Sequence, residues 1–264
     1  MKGILTDVTK CIGCGDCVKA CSQRNGLPAI PQKDYRSRDG LSGERYTSIL
    51  HIKKDGQTSF VRKQCRHCLE PACVSACIVG ALQTTPEGAV IYDKDKCIGC
   101  RYCMMACPFG IPRYEWKSPI PFIQKCTLCY EQIKDGGSPA CTAACKQQAT
   151  IFGDRDELLK IAKQRIADNP DRYINKVYGE KEVGGTSVLY ISNVPLEFLA
   201  WQPDMDDKPL PDLTWAALKK VPPVALGMAG AMAGTYWIIE RRMQLANGEE
   251  TELKETGLKE TDNE

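Results

Sequence analysis

Between residues 156 and 166 the apolar positions Leu158, Leu159, Ala162 and Ile166 recur at helical spacing. Asp154 and Asp156 stand near the start, where acidic side chains cap a helix or favour its dipole. The pattern predicts a short amphipathic helix that packs by one face. Ser187-Val-Leu-Tyr-Ile191, preceded by Gly184 and Gly185, predicts a strand. Pro195, Pro203, Pro209 and Pro211 then predict an irregular linker.

The nineteen residues from Val221 to Ile239 carry no charge, and a helix of that length is about 28 Å long, close to the ~30 Å hydrocarbon core of a bilayer. Pro222 and Pro223 fall in its first turn, and Trp215, Tyr236 and Trp237 flank it as interfacial aromatics do. Gly230 and Gly234, with Ala229 and Ala233 alongside, give a face on which another membrane helix could pack. The expectation is one C-terminal transmembrane helix within residues 215–242. Ala and Gly dominate it, so a buried soluble helix is the alternative. Lys219 and Lys220 on one side balance Arg241 and Arg242 on the other, which leaves orientation unset. From Asn247 to Glu264, seven acidic and two basic residues predict a disordered tail, placed within 243–264.

With 264 residues, 43% hydrophobic and 26% charged, the chain has a globular composition, and its net charge of +2 gives no field directed at nucleic acid or acidic substrates. No nucleotide-binding glycine motif and no catalytic serine, histidine or carboxylate set appears, so the chain is expected to do no substrate chemistry itself. A secretory signal has no room before Cys11, which predicts either a cytoplasmic protein or one carried across a membrane with a partner.

Cysteine changes the picture. The sixteen cysteines fall into four runs with none left over: Cys11, Cys14, Cys17, Cys21; Cys65, Cys68, Cys73, Cys77; Cys97, Cys100, Cys103, Cys107; and Cys126, Cys129, Cys141, Cys145. The first and third share C-x2-C-x2-C-x3-C, opening with Cys-Ile-Gly-Cys in both. The second and fourth share C-x2-C, a spacer, and Pro-Ala-Cys-x2-Ala-Cys. Three thiolates two residues apart on a glycine-bearing loop can hold three irons of one cubane, while the fourth points to a neighbouring cluster. Four cysteines within eleven residues crowd the separated pairs of a tetrahedral zinc site. The reading is four 4Fe-4S clusters. Gap lengths between the runs fit sequential and nested pairing alike.

The stretch Cys97–Pro112, Lys125-Cys-Thr-Leu-Cys129, Phe152–Leu159 and Tyr178–Thr186 together resemble the four-cluster iron-sulfur subunit of molybdopterin oxidoreductases and membrane hydrogenases. The branches most similar are the β subunit of membrane-bound formate dehydrogenase and the matching subunit of quinone-reducing nickel-iron hydrogenase. The resemblance implies an α+β fold of two nested ferredoxin-like modules. In it Cys11, Cys14 and Cys17 bind with Cys145, and Cys126, Cys129 and Cys141 with Cys21. Cys65, Cys68 and Cys73 bind with Cys107, and Cys97, Cys100 and Cys103 with Cys77. The outer module then takes residues 1–64 and 121–153, the inner one 65–120, with an extension over 154–214. The implied role is electron relay between a molybdopterin or nickel-iron catalytic subunit, formate dehydrogenase-like by preference, and a membrane cytochrome or quinone-reactive subunit. The membrane placement it implies is the outer, periplasmic face, with the cytoplasmic face as alternative. Readings of other classes are a soluble polyferredoxin carrier and a zinc-structured scaffold.

The proline that usually follows the fourth cysteine in this family is present only as Pro108, with Ser22, Ile78 and Lys146 at the other three positions. His67, between Cys65 and Cys68, reads as a loop residue beside a cluster, since cysteines fill every coordination position; the alternative is a tuning or ligand role. Arg62, Lys63, Arg66 and Lys125 either raise cluster potentials or form a solvated face.

Overall fold

The computed structural model describes residues 1–29, 40–54, 56–116, 118–202 and 205–257. Nine strands are assigned among them, β1 Lys2–Asp7, β2 Ser48–Lys54, β3 Gln57–Lys63, β4 Leu82–Thr84, β5 Val90–Tyr92, β6 Arg113–Tyr114, β7 Ile123–Gln124, β8 Thr150–Asp154 and β9 Val188–Ile191. The helices are α1 Asp16–Arg24, α2 Ala72–Ser75, α3 Tyr102–Ala106, α4 Tyr130–Lys134, α5 Ala140–Ala143, α6 Arg155–Asp168, α7 Leu210–Leu218 and α8 Val221–Gly257.

Strand β1 organises the body. It pairs antiparallel with β8, Lys2 opposite Asp154, and parallel with β9, Ile4 opposite Val188, so it is the centre of a three-stranded sheet. A strand covered on both faces must be apolar in both registers. Accordingly, Leu5 packs with Leu189, Ile191 and the α6 residues Leu158, Ala162 and Ile166, while Ile4 packs on the other side with Ile49, Leu50, Val61, Leu128, Val188 and Tyr190. The remaining sheets are two-stranded antiparallel pairs, β2 with β3, β4 with β5 and β6 with β7.

Helix α6 covers the predicted 156–166 with a residue or two more at each end, and β9 matches the predicted strand. Asp154 is the N-cap residue but makes no side-chain cap bond; its carboxylate pairs with Lys2 at 3.1 Å instead. Of the proline-marked segment after β9, Pro203 lies outside the described residues and Pro211 stands in the first turn of α7, against the irregular linker expected there; the part up to Trp201 holds only a 3-10 turn, Glu197–Leu199, and is no solvent-borne linker. Val194, Leu196, Leu199 and Trp201 are buried, with Trp201 against Phe109 at 4.7 Å between ring centroids. Prolines report missing ladder hydrogen bonds and say nothing about burial.

Residues Met1–Asp212 form one compact unit and Leu213–Glu264 a second. In the second, the charge-free stretch is helical as expected and lies in α8, but the expected transmembrane helix is overturned. Among the described residues no helix is long and apolar enough to cross a membrane. The cause is composition: Ala, Gly, Thr, two prolines and polar-tipped Tyr236 and Trp237 gain too little from leaving water, whatever the length. Helix α8 also continues to Gly257, into the acidic stretch expected to be unstructured, whereas residues 258–264 of that stretch lie outside the described residues.

Candidate metal centres

Each cysteine run is shaped by its local backbone. At the end of β1, the Asp7 carboxylate accepts the Thr9 N–H and starts a 3-10 turn, Val8–Lys10, that delivers Cys11. Gly13 and Gly15 then take positive φ, and Gly15 opens α1, which buries Cys17 and Cys21. At Gly13 (φ +74°) an added Cβ would stand 2.4 Å from the Phe60 ring, so only glycine fits. The third run repeats the design: Asp93 accepts the Asp95 N–H, a 3-10 turn Lys94–Lys96 delivers Cys97, and Arg101 takes the left-handed place of Gly15 before α3. The sequence carried this longer repeat as Asp-x-x-Lys-Cys-Ile-Gly-Cys. In the second and fourth runs His67 and Leu128 share a left-handed backbone one residue before the second cysteine. Pro71 and Pro139 open α2 and α5, carrying the third cysteine of each.

Pairing of β1 with β8 and packing of α1 on α5 close the first run onto the fourth. Cys11, Cys14, Cys17 and Cys145 line one cavity. Cys21, Cys126, Cys129 and Cys141 line another. The β4–β5 hairpin and the packing of α2 on α3 close the second run onto the third. There the thiols crowding Cys68 are Cys65, Cys107 and Cys73, and those crowding Cys103 are Cys77, Cys100 and Cys97. The fold thus brings the first run against the fourth and the second against the third.

These thiols are costly to ionise. Burial first, then neighbouring thiols, push Cys21 and Cys73 up to about 12 and Cys103 to about 11. Cys17 also reaches about 11 through burial, although Arg62 opposes it. Crowded, desolvated thiols of this kind give up their protons to a metal centre that neutralises them. Among the described residues no three of His, Cys, Asp and Glu close on a point small enough for one ion. In a cubane each thiolate takes a separate iron, so a wider set is what that group needs.

Four cations surround the sets, and none is on a solvated face: relative exposure is 3% for Arg62, Lys63 and Lys125 and 1% for Arg66. Arg66 lies 4.4 Å from the Tyr190 ring centroid, with Phe109 and Trp201 also beside it. It donates to the Tyr190 hydroxyl, which donates on to the Arg62 carbonyl at 3.0 Å. The Arg66 Nε and Nη2 have no partner among the described residues. Lys125 Nζ donates to the carbonyls of Val90 and Cys126. Among the described residues Arg62, Arg66 and Lys125 have no carboxylate in ion-pair contact, and burying unpaired cations is unfavourable unless negative charge lies nearby. A thiolate-bound iron-sulfur cluster is such a charge, so the residues fit the group.

His67 is fully buried. Its Nδ1 accepts the Val90 N–H at 2.9 Å, which puts the proton on Nε2, an atom without a partner among the described residues. Burial, and then Lys125, hold its pKa well below the ordinary range and keep it neutral. It is a loop residue, as expected, but one fixed under the sheet, its carbonyl accepting the Ser187 N–H at 2.8 Å. Thr47, Thr150, Tyr190 and Trp201, which position the cations, carried no signal of that role in the sequence; Tyr190 reads there only as part of a strand.

Comparison with known proteins bears on what these sets hold. Residues 3–78 and 57–155 each match a family model described as a 4Fe-4S dicluster domain. A protein of Nitratidesulfovibrio vulgaris is 40% identical over 259 residues, covering 95% of this chain and 70% of that one. The hydrogenase-2 operon protein HybA of Escherichia coli O157:H7 is 39% identical over 242 residues, with 78% and 74% covered. The nitrate-inducible formate dehydrogenase iron-sulfur subunit of Escherichia coli K12 is 35% identical over 202 residues, with 71% and 66% covered.

Proposed function

This chain belongs to the family of 4Fe-4S dicluster iron-sulfur subunits, and on that premise we propose which thiols hold its clusters and what stands at either end of its electron path. It is an electron-transfer subunit with four 4Fe-4S clusters, and each cluster when bound supplies a one-electron redox centre.

The proposed ligand sets are the nested ones: Cys11, Cys14, Cys17 and Cys145; Cys126, Cys129, Cys141 and Cys21; Cys65, Cys68, Cys73 and Cys107; Cys97, Cys100, Cys103 and Cys77. The closure of the first run onto the fourth through β1 and β8 is the observation that carries this reading. The chain's own residues desolvate the sets and place cations against them.

At one end stands a catalytic oxidoreductase subunit, at the other a membrane cytochrome or quinone-reactive subunit. The longer and closer similarity to the hydrogenase-2 operon protein favours a hydrogen-oxidising partner over a formate-oxidising one. Attachment to a membrane, at the outer face in this reading, would come from that membrane partner and not from α8.

Anaerobic purification of the full chain from its own cells tests the proposal. The expected preparation carries about sixteen irons and sixteen sulfides per chain together with a large catalytic subunit. Four zincs without acid-labile sulfide would overturn the cluster content, and a fully loaded chain that purifies alone would favour a freestanding carrier. Cys145→Ala should cost the cluster shared with Cys11, Cys14 and Cys17; loss instead of the one shared with Cys97, Cys100 and Cys103 would refute nesting.

A further inference from the structure

Arg62 is the last residue but one of strand β3, and among the described residues it alone lines both cavities of the outer module. On one side are Cys11, Cys14, Cys17 and Cys145; on the other, Cys21, Cys126, Cys129 and Cys141. Its guanidinium is clamped from two elements: Nε donates to Thr47 Oγ1 and Nη1 to Thr150 Oγ1, each at 3.1 Å. Thr47 precedes β2 and Thr150 begins β8, so the clamp is completed by the same strand that closes the outer module. Both partners are neutral hydroxyls, which fix the group without cancelling its charge. Asp16 lines only the first cavity and is partly exposed, where solvent weakens its opposing field.

A cluster that accepts an electron becomes more negative by one unit, and a fixed cation in a desolvated site favours that state. An arginine suits this task, because its planar fork is held by two fixed hydroxyls at once and keeps the charge between the two cavities. We propose that Arg62 is a potential-setting residue shared by the two clusters of the outer module, raising both reduction potentials together. Its position between the two cavities also offsets the repulsion that a first electron exerts on a second. In the inner module, the set with Cys68 and Cys73 lies against other cations, Arg66 and Lys125.

The inference rests on the proposed ligand sets. It is tested by redox titration of the anaerobically isolated complex, followed by electron paramagnetic resonance. Signals of the outer pair are assigned by their loss in Cys145→Ala and Cys21→Ala, whose iron counts test the ligand sets separately. A wrong set is thereby told apart from a silent Arg62. In Arg62→Gln both outer potentials should fall by at least a tenfold change in the reduction equilibrium, about 59 mV for a one-electron couple, with the inner pair unmoved. In Arg62→Lys, which keeps a cation but not the planar fork, most of each potential should return. Unchanged outer potentials in Arg62→Gln, a shift in only one, or an equal shift in all four would overturn the inference. If the glutamine variant fails to retain its irons, the lysine variant decides: potentials near the parent's support a charge effect, and a tenfold fall in both overturns it.

Discussion

Two aspartates open equivalent cysteine loops but sit in opposite surroundings, which allows one local motif to be weighed with burial as the variable. Asp7 is fully buried; its Oδ1 accepts the Thr9 N–H at 3.1 Å and the Thr9 hydroxyl at 2.7 Å. Its Oδ2 accepts from Arg165 and from the Tyr173 hydroxyl, both at 3.0 Å. Asp7→Ala removes a cap worth about 0.5–2 kcal/mol and leaves a buried hydroxyl short of an acceptor, at about 1 kcal/mol. It also breaks an ion pair that would cost about 3–5 kcal/mol if both partners were sealed in. Arg165 is 23% exposed and can turn to water, so most of that last penalty is escaped and the total is about 3 kcal/mol. Asp7→Asn, which keeps an acceptor for Thr9, should lose about half as much. Asp93 makes the same turn at the surface and pairs with Lys96 in solvent, so Asp93→Ala should lose only the exposed cap and far less than Asp7→Ala. The assay is anaerobic loss of visible absorbance to an iron chelator, which tracks the open population when reclosing is fast. About 3 kcal/mol corresponds to roughly a hundredfold faster loss from the outer module. Equal rates for Asp7→Ala and Asp93→Ala would refute the claim that burial, not the turn, sets the difference.

Trp201→Ala empties the aromatic wall beside Arg66 and should lower stability by about 3–5 kcal/mol, read as an earlier urea midpoint for cluster release. Gly13→Ala forces a side chain into the left-handed region and against Phe60; it should cost about 1–3 kcal/mol and speed iron loss from the outer module only. A chain ending at Asp212 keeps the whole first unit and should retain parent iron content and chelator resistance; loss of either would show that α8 supports the body.

The cysteine frames were legible because ligand spacing is a local property, and so were α6 and β9, whose periodicity is local too. Nesting was not legible from spacing, since it is decided by the pairing of β1 with β8 across about 150 residues of chain, and only the family resemblance pointed to it. The cations next to the runs were open to a solvated reading because charge is normally exposed. Their burial depends on Tyr190, Trp201 and β9, all more than 60 residues downstream of Lys125. The stretch in α8 meets the length and charge criteria of a membrane span, but Ala and Gly supply absence of charge without strong hydrophobicity, and that composition outweighs the length.

Strand β1 leaves the ribosome long before either of its neighbours in the sheet. Its two partners begin at Thr150 and Val188, and at some 5–20 residues per second their synthesis follows by roughly ten seconds or more. Through that interval an apolar strand and the thiols just after it stand without cover. The hairpin of β4 and β5, with the runs on either side of it, is already complete by residue 107. Order of synthesis and order of maturation therefore run in opposite directions along this chain. The centre lined by the earliest cysteines is the one most exposed to oxidants and to stray metal during biogenesis, and the one with most to gain from a chaperone that holds the amino-terminal strand.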